Sequence, residues 1–69
     1  MMLLKEDGTQ ILLVEGGYYF VEGVPGVPLL KKIMEHCCIF EDIQYKEGLE
    51  KEVTTYAVKF KDIYGECPF

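Results

Sequence analysis

The chain contains no arginine, no serine, no asparagine and no tryptophan. Without arginine it lacks the side chain that makes the commonest specific base contact, and the fork that clamps phosphate or carboxylate with two bonds. Without serine, a serine nucleophile is impossible. Positive charge is scarce as well: seven lysines face twelve acids, for a formal charge of −5. Nucleic-acid binding usually needs a basic face, so no direct nucleic-acid contact is expected. No apolar run approaches the roughly 18 residues of a membrane span. The opening residues place Lys5, Glu6 and Asp7 where a signal peptide needs its apolar stretch. The chain therefore reads as cytoplasmic, with no membrane contact. Its three cysteines are then reduced thiols, and an odd count argues against a complete disulfide framework.

What is present is a single short domain, residues 1–69, with 49% hydrophobic residues. The surface scaling law gives a chain of this size about 4,400 Å² of accessible area when folded and about 11,000 Å² when extended. At about 25 cal/mol per Å² of apolar area, burial supplies on the order of 100 kcal/mol. Ordering the chain costs a similar amount. A lone copy is therefore marginal, and oligomerisation is one of the usual remedies.

Residues 11–21 read Ile-Leu-Leu-Val-Glu-Gly-Gly-Tyr-Tyr-Phe-Val. Two apolar runs around a Gly-Gly pair predict a two-residue β-hairpin. With Gly16 and Gly17 as its loop, Leu12, Val14, Tyr19 and Val21 share one face, and Ile11, Leu13, Tyr18 and Phe20 share the other. Both faces are apolar, where a half-exposed hairpin carries polar residues on one side. The face of Leu12, Val14, Tyr19 and Val21 is therefore the expected interface with a second copy, making the protein a homodimer.

The remaining elements follow from local signals. Residues 2–5 read as a first strand, closed by the Asp7-Gly8 turn. Pro25-Gly26 suits a type II turn, and Pro28 suits the first turn of a helix. A helix is expected over residues 28–38, with Leu29, Leu30, Ile33, Met34 and Cys37 on one stripe and Lys31, Lys32 and Glu35 opposite. Residues 39–46 read as a fourth strand with Ile43 and Tyr45 facing inward. A loop spans 47–51. Residues 52–61 alternate as a fifth strand, with Tyr56, Val58 and Phe60 on one side and Thr55, Lys59 and Lys61 on the other. The tail from 62 to 69 carries breakers at Gly65 and Pro68. The expected fold is α+β: a small antiparallel sheet of about five strands in the order βββαββ, with one helix packed on one face.

Three constellations bear on function. His36, Cys37, Cys38 and Cys67 form the one set suited to metal or thiol chemistry. On a helix, however, His36 and Cys38 stand about 160° apart, and the spacing is not that of a zinc site. Cys37 then reads as a small buried hydrophobe. Neither a metal nor any other cofactor is expected, and nothing marks a third group to orient His36 as a catalytic base. Glu41, Asp42, Glu47, Glu50 and Glu52 form an acidic patch, either a solvated face or a dock for a basic, nucleic-acid-handling protein of the kind that small mobile-element inhibitors bind. Tyr18, Tyr19 and Phe20 lack the positive groove of a base-stacking platform and read as core or interface. The chain thus reads as a non-catalytic interaction module that self-associates through residues 11–21. The alternatives are a small acidic inhibitor or accessory protein, and a thiol or metal-binding protein.

Overall fold

The computed structural model describes residues 1–48 and 50–68; Leu49, within the expected 47–51 loop, and Phe69, in the expected tail, lie outside the described residues. The elements run β1 (Met2–Leu4), β2 (Gln10–Leu12), β3 (Tyr19–Val21), β4 (Leu29–Ile33), β5 (Cys37–Tyr45), β6 (Lys51–Lys59), a single 3₁₀ turn (Phe60–Asp62) and β7 (Ile63–Glu66). They form three small antiparallel sheets: β1 with β2, β3 with β7, and β4-β5-β6. The architecture is all-β, and the α+β expectation is overturned: among the described residues there is no α-helix.

The expected helix is strand β4 plus the tight turn into β5, closed by the Met34 N–H donating to the Cys37 carbonyl at 2.9 Å. The cause of the misreading lies in a β-bulge. Leu30 opposes Phe40 and Lys32 opposes Ile39, so Lys31 is the extra residue between them. A bulge sets two residues against one and shifts the side-chain phase. Leu30 and Ile33 therefore both turn toward the core across a spacing of three, which a helix also produces.

The expected hairpin over 11–21 does not form either. β2 pairs with β1, and β3 pairs with β7. Gly16 adopts the left-handed backbone (φ 95°) that its turn requires. The turn then docks on β4: Gly16 N–H reaches the Leu30 carbonyl, and Leu30 N–H reaches the Gly17 carbonyl, each at 2.8 Å. Gly17 is closely packed: a Cβ there would sit 3.1 Å from the Tyr19 ring and 3.2 Å from the Val14 carbonyl, so a side chain would need both to give by a few tenths of an ångström. Separation into different sheets buries one face of each strand, Ile11 on β2 and Tyr19 and Val21 on β3, and leaves Leu12 and Phe20 about half exposed.

The core comprises Ile11, Leu13, Tyr19, Val21, Leu30, Cys38, Phe40, Val58 and Ile63. Tyr19 ties it together. Its hydroxyl accepts from the Val14 N–H and donates to the Leu12 carbonyl, both at 2.8 Å, while its ring meets Phe40 edge-on at 6.1 Å. Ile63 is fully buried, so the tail supplies a core strand rather than an exposed end.

Candidate functional site: the β5–β6 arm

β5 and β6 are nine residues each and pair along their whole length, from Cys37–Lys59 to Tyr45–Lys51. Only the base of this hairpin belongs to the core, through Cys38, Phe40 and Val58. β4 accompanies β5 as far as the Leu29–Glu41 pair. Beyond it, residues 42–45 and 51–54 are a two-stranded ribbon, which we call the arm. The chain is accordingly elongated, 45 × 23 × 20 Å, with a radius of gyration of 12.6 Å where about 11 Å is usual for this length.

The side-chain phase of β5 changes along its length. At the base, the even positions Cys38 and Phe40 face the core. In the arm those positions become polar, with Asp42 opposite Thr54 and Gln44 opposite Glu52. The odd positions become apolar instead, with Ile43 opposite Val53 and Tyr45 beyond them. These three side chains are 40%, 46% and 80% exposed, which corrects the expectation that Ile43 and Tyr45 face inward. A hollow of about 240 Å³ continues the same face back to the body, lined by Tyr18, Val27, Leu29, Ile43 and Tyr45 among others.

The backbone of the arm has an open edge. Lys46 N–H donates to the Glu50 carbonyl at 2.9 Å. Hydrogen-bonded pairs alternate along an antiparallel ladder. The even residues of β6 therefore bond to β5, and Val53, Thr55 and Ala57 turn their N–H and C=O outward. Among the described residues, no strand and no other backbone group bonds to that outer edge.

The four positions expected at an interface fall in two environments. Tyr19 (2% exposed) and Val21 (7%) lie inside the subunit, because β3 is the core strand beside β7. Leu12 (46%) and Val14 (52%) lie outside. The structure thus divides that set of residues instead of gathering it. The acidic patch is dispersed too. Glu41 pairs with Lys31, and Glu52 pairs with Lys46 at 2.6 Å. Asp42 accepts from the Gln44 amide at 3.3 Å. Glu47 and Glu50 are exposed at the arm's tip.

Cys37 and Cys38 are successive strand residues, so they point to opposite faces. Burial pushes the Cys38 thiol above its ordinary value, and the neighbouring Cys37 adds to the shift. Among the described residues no three His, Cys, Asp or Glu side chains converge as metal ligands. No described helix is long and apolar enough to cross a membrane. Compared with known proteins, the chain matches no family model, no curated protein and no solved structure.

Proposed function

We propose that this protein is a non-catalytic interaction module that self-associates, with the β5–β6 arm as its binding element. One observation carries the reading: the arm is a two-stranded ribbon that stands off the core and displays Ile43, Tyr45 and Val53 on one face. An isolated two-stranded hairpin is marginal in water and gains its stability from a further strand or a covering layer. The area supports the same reading. The chain exposes 5039 Å², about 600 Å² more than the scaling law gives for its size. A standard interface removes about 800 Å² from each partner. Most soluble oligomers are symmetric assemblies of identical chains, two-fold dimers foremost. The three cysteines are free thiols, in keeping with a reducing compartment, and we place the module in the cytoplasm.

The acidic-inhibitor reading gains less support, because two of its five carboxylates are already matched by lysines and the set is divided between the faces and the tip of the arm. The test is molecular mass by sedimentation over a thousand-fold concentration range, paired with thermal melting. The expected outcome is a dimer at the upper end and a melting temperature that rises with concentration. A monomer throughout, with an unchanging melting temperature, removes the reading.

A further inference from the structure

We infer that the second copy joins through the outer edge of β6, strand against strand, about a two-fold axis at Val53; this rests on the self-association proposed above and specifies its geometry. Three observations lead there. First, β6 presents a row of outward N–H and C=O groups at Val53, Thr55 and Ala57 that nothing in the described chain satisfies. An exposed edge of this kind is a template for another strand. Second, β6 is the longer of the arm's two open edges, since past the end of β4 the outer edge of β5 offers only Ile43 and Tyr45, and elsewhere side chains take edge groups. The Glu66 carboxylate takes the Leu12 N–H at 3.0 Å, and the Glu15 carboxylate takes the Ile33 N–H at 3.0 Å. The Lys5 ammonium donates to the Lys61 and Ile63 carbonyls at 2.8 and 2.7 Å. β1, at three residues, is too short to recruit much. Edge pairing between copies is thereby channelled to β6.

Third, like charges disfavour a centre at Thr55, and apolar pairing favours one at Val53 over one at Thr54, which would set Val53 against Thr55. A two-fold axis normal to the sheet pairs odd positions with odd positions and keeps each face on its own side. Centred on Thr55, it would set Lys51 against Lys59 at both ends, and like charges directly opposite are destabilising. Centred on Val53, it sets Lys51 against Thr55. The same register aligns Ile43, Val53 and their two counterparts as one apolar row across four strands, and the outward backbone groups of residues 51–55 all find partners. The product is a continuous six-stranded antiparallel sheet.

The test reads amide exchange and mass together. In wild-type protein held where its mass is dimeric, the Val53 and Thr55 amides should exchange at least ten-fold more slowly than after dilution to monomer. Thr55→Pro removes one outward donor and leaves the β5–β6 bonds in place, since edge positions accept proline. It should weaken association at least ten-fold. A dimeric mass with those amides exchanging freely overturns the edge pairing and leaves self-association standing, as does a folded, undiminished Thr55→Pro dimer. A wild type monomeric at every concentration overturns both. If that monomer protects the same amides when an alternating Lys-Val decapeptide is added, the edge belongs to a foreign strand instead of a second copy. The exchange measurement on wild type decides the matter even where Thr55→Pro fails to fold.

Discussion

The body of this protein and its arm are built from the same kind of strand and treated in opposite ways. In the body, strands of three to five residues lie around a core with no buried polar or charged residue among those described, and side chains cap the edges. In the arm, two nine-residue strands leave the core with an apolar face exposed and a row of backbone groups unbonded. Natural sheets commonly protect their edges against unwanted pairing. Here Glu15, Glu66 and Lys5 give the body that protection and β6 goes without, which is the pattern expected of a surface kept for a partner.

The sharpest way to break this contrast is at the junction. Phe40 is fully buried where the arm enters the core. Phe40→Ala should cost about 3–5 kcal/mol, read by urea unfolding, which for so small a domain means loss of the folded state. Tyr19→Phe should cost about 1–3 kcal/mol, because the hydroxyl satisfies both the Val14 N–H and the Leu12 carbonyl. Urea midpoints for that variant separate body stability from association.

The arm should answer differently. Val53→Lys, at an exposed position, is expected to change monomer stability by no more than about 0.5 kcal/mol. It should nevertheless abolish the dimer, because it sets two ammonium groups across the axis. Sedimentation and dilute-solution melting together check both halves of this expectation. Leu12→Lys, the same change on the β1–β2 hairpin of the body, should leave association nearly unchanged.

Two smaller effects follow from titration. Because the Cys38 thiol is raised by burial, its contribution to stability is complete below the ordinary thiol value of about 8.5. That contribution falls as pH rises from there through the higher folded value, since the unfolded chain releases the proton first. Tyr64 acts with the same sign at higher pH, its hydroxyl raised chiefly by the hydrogen bond it donates to Glu22. Unfolding at pH 8 and pH 10 should show the decline, and Cys38→Val should flatten its first part. The smallest effect belongs to Asp7, whose carboxyl is held low mainly by the Thr9 N–H in the β1–β2 turn. Its stabilisation is present above the ordinary carboxyl range and is lost as pH falls through the lowered value. Asp7→Ala should remove that acid-side slope, with a small loss of stability at neutral pH that vanishes below the lowered value.

Several elements were legible residue by residue. The alternation of Thr55 and Lys59 against Tyr56 and Val58 revealed β6, because a half-exposed strand records its two environments in a period of two; the strand ends at Lys59, and Phe60 and Lys61, expected within it, belong to the 3₁₀ turn. The Asp7-Gly8 turn was legible for a similar reason: Gly8 takes a φ of 89° that its neighbours would resist. β4 was not legible, because a bulge at Lys31 copies helical spacing within five residues. The arm's apolar face left a faint signal, the switch from even positions at Cys38 and Phe40 to odd positions at Ile43 and Tyr45. A strand whose apolar phase changes midway changes the face it covers. The tail gave almost none, since Gly65 opposite Phe20 reads as a breaker until β3 lies beside it.

The amino-acid order by itself determined that this is a small, acidic, arginine-free chain rich in strand-forming residues, with turns at its glycines and an apolar segment in need of cover. Those properties depend on side-chain chemistry and near neighbours. The tertiary structure alone decided that the cover for Tyr19 and Val21 comes from within, that β7 completes β3 instead of extending β6, and that β6 is therefore left with an open edge. Strand partners lie far apart along the chain, and their choice is settled by which whole arrangement buries the most apolar surface while leaving the fewest backbone groups unbonded.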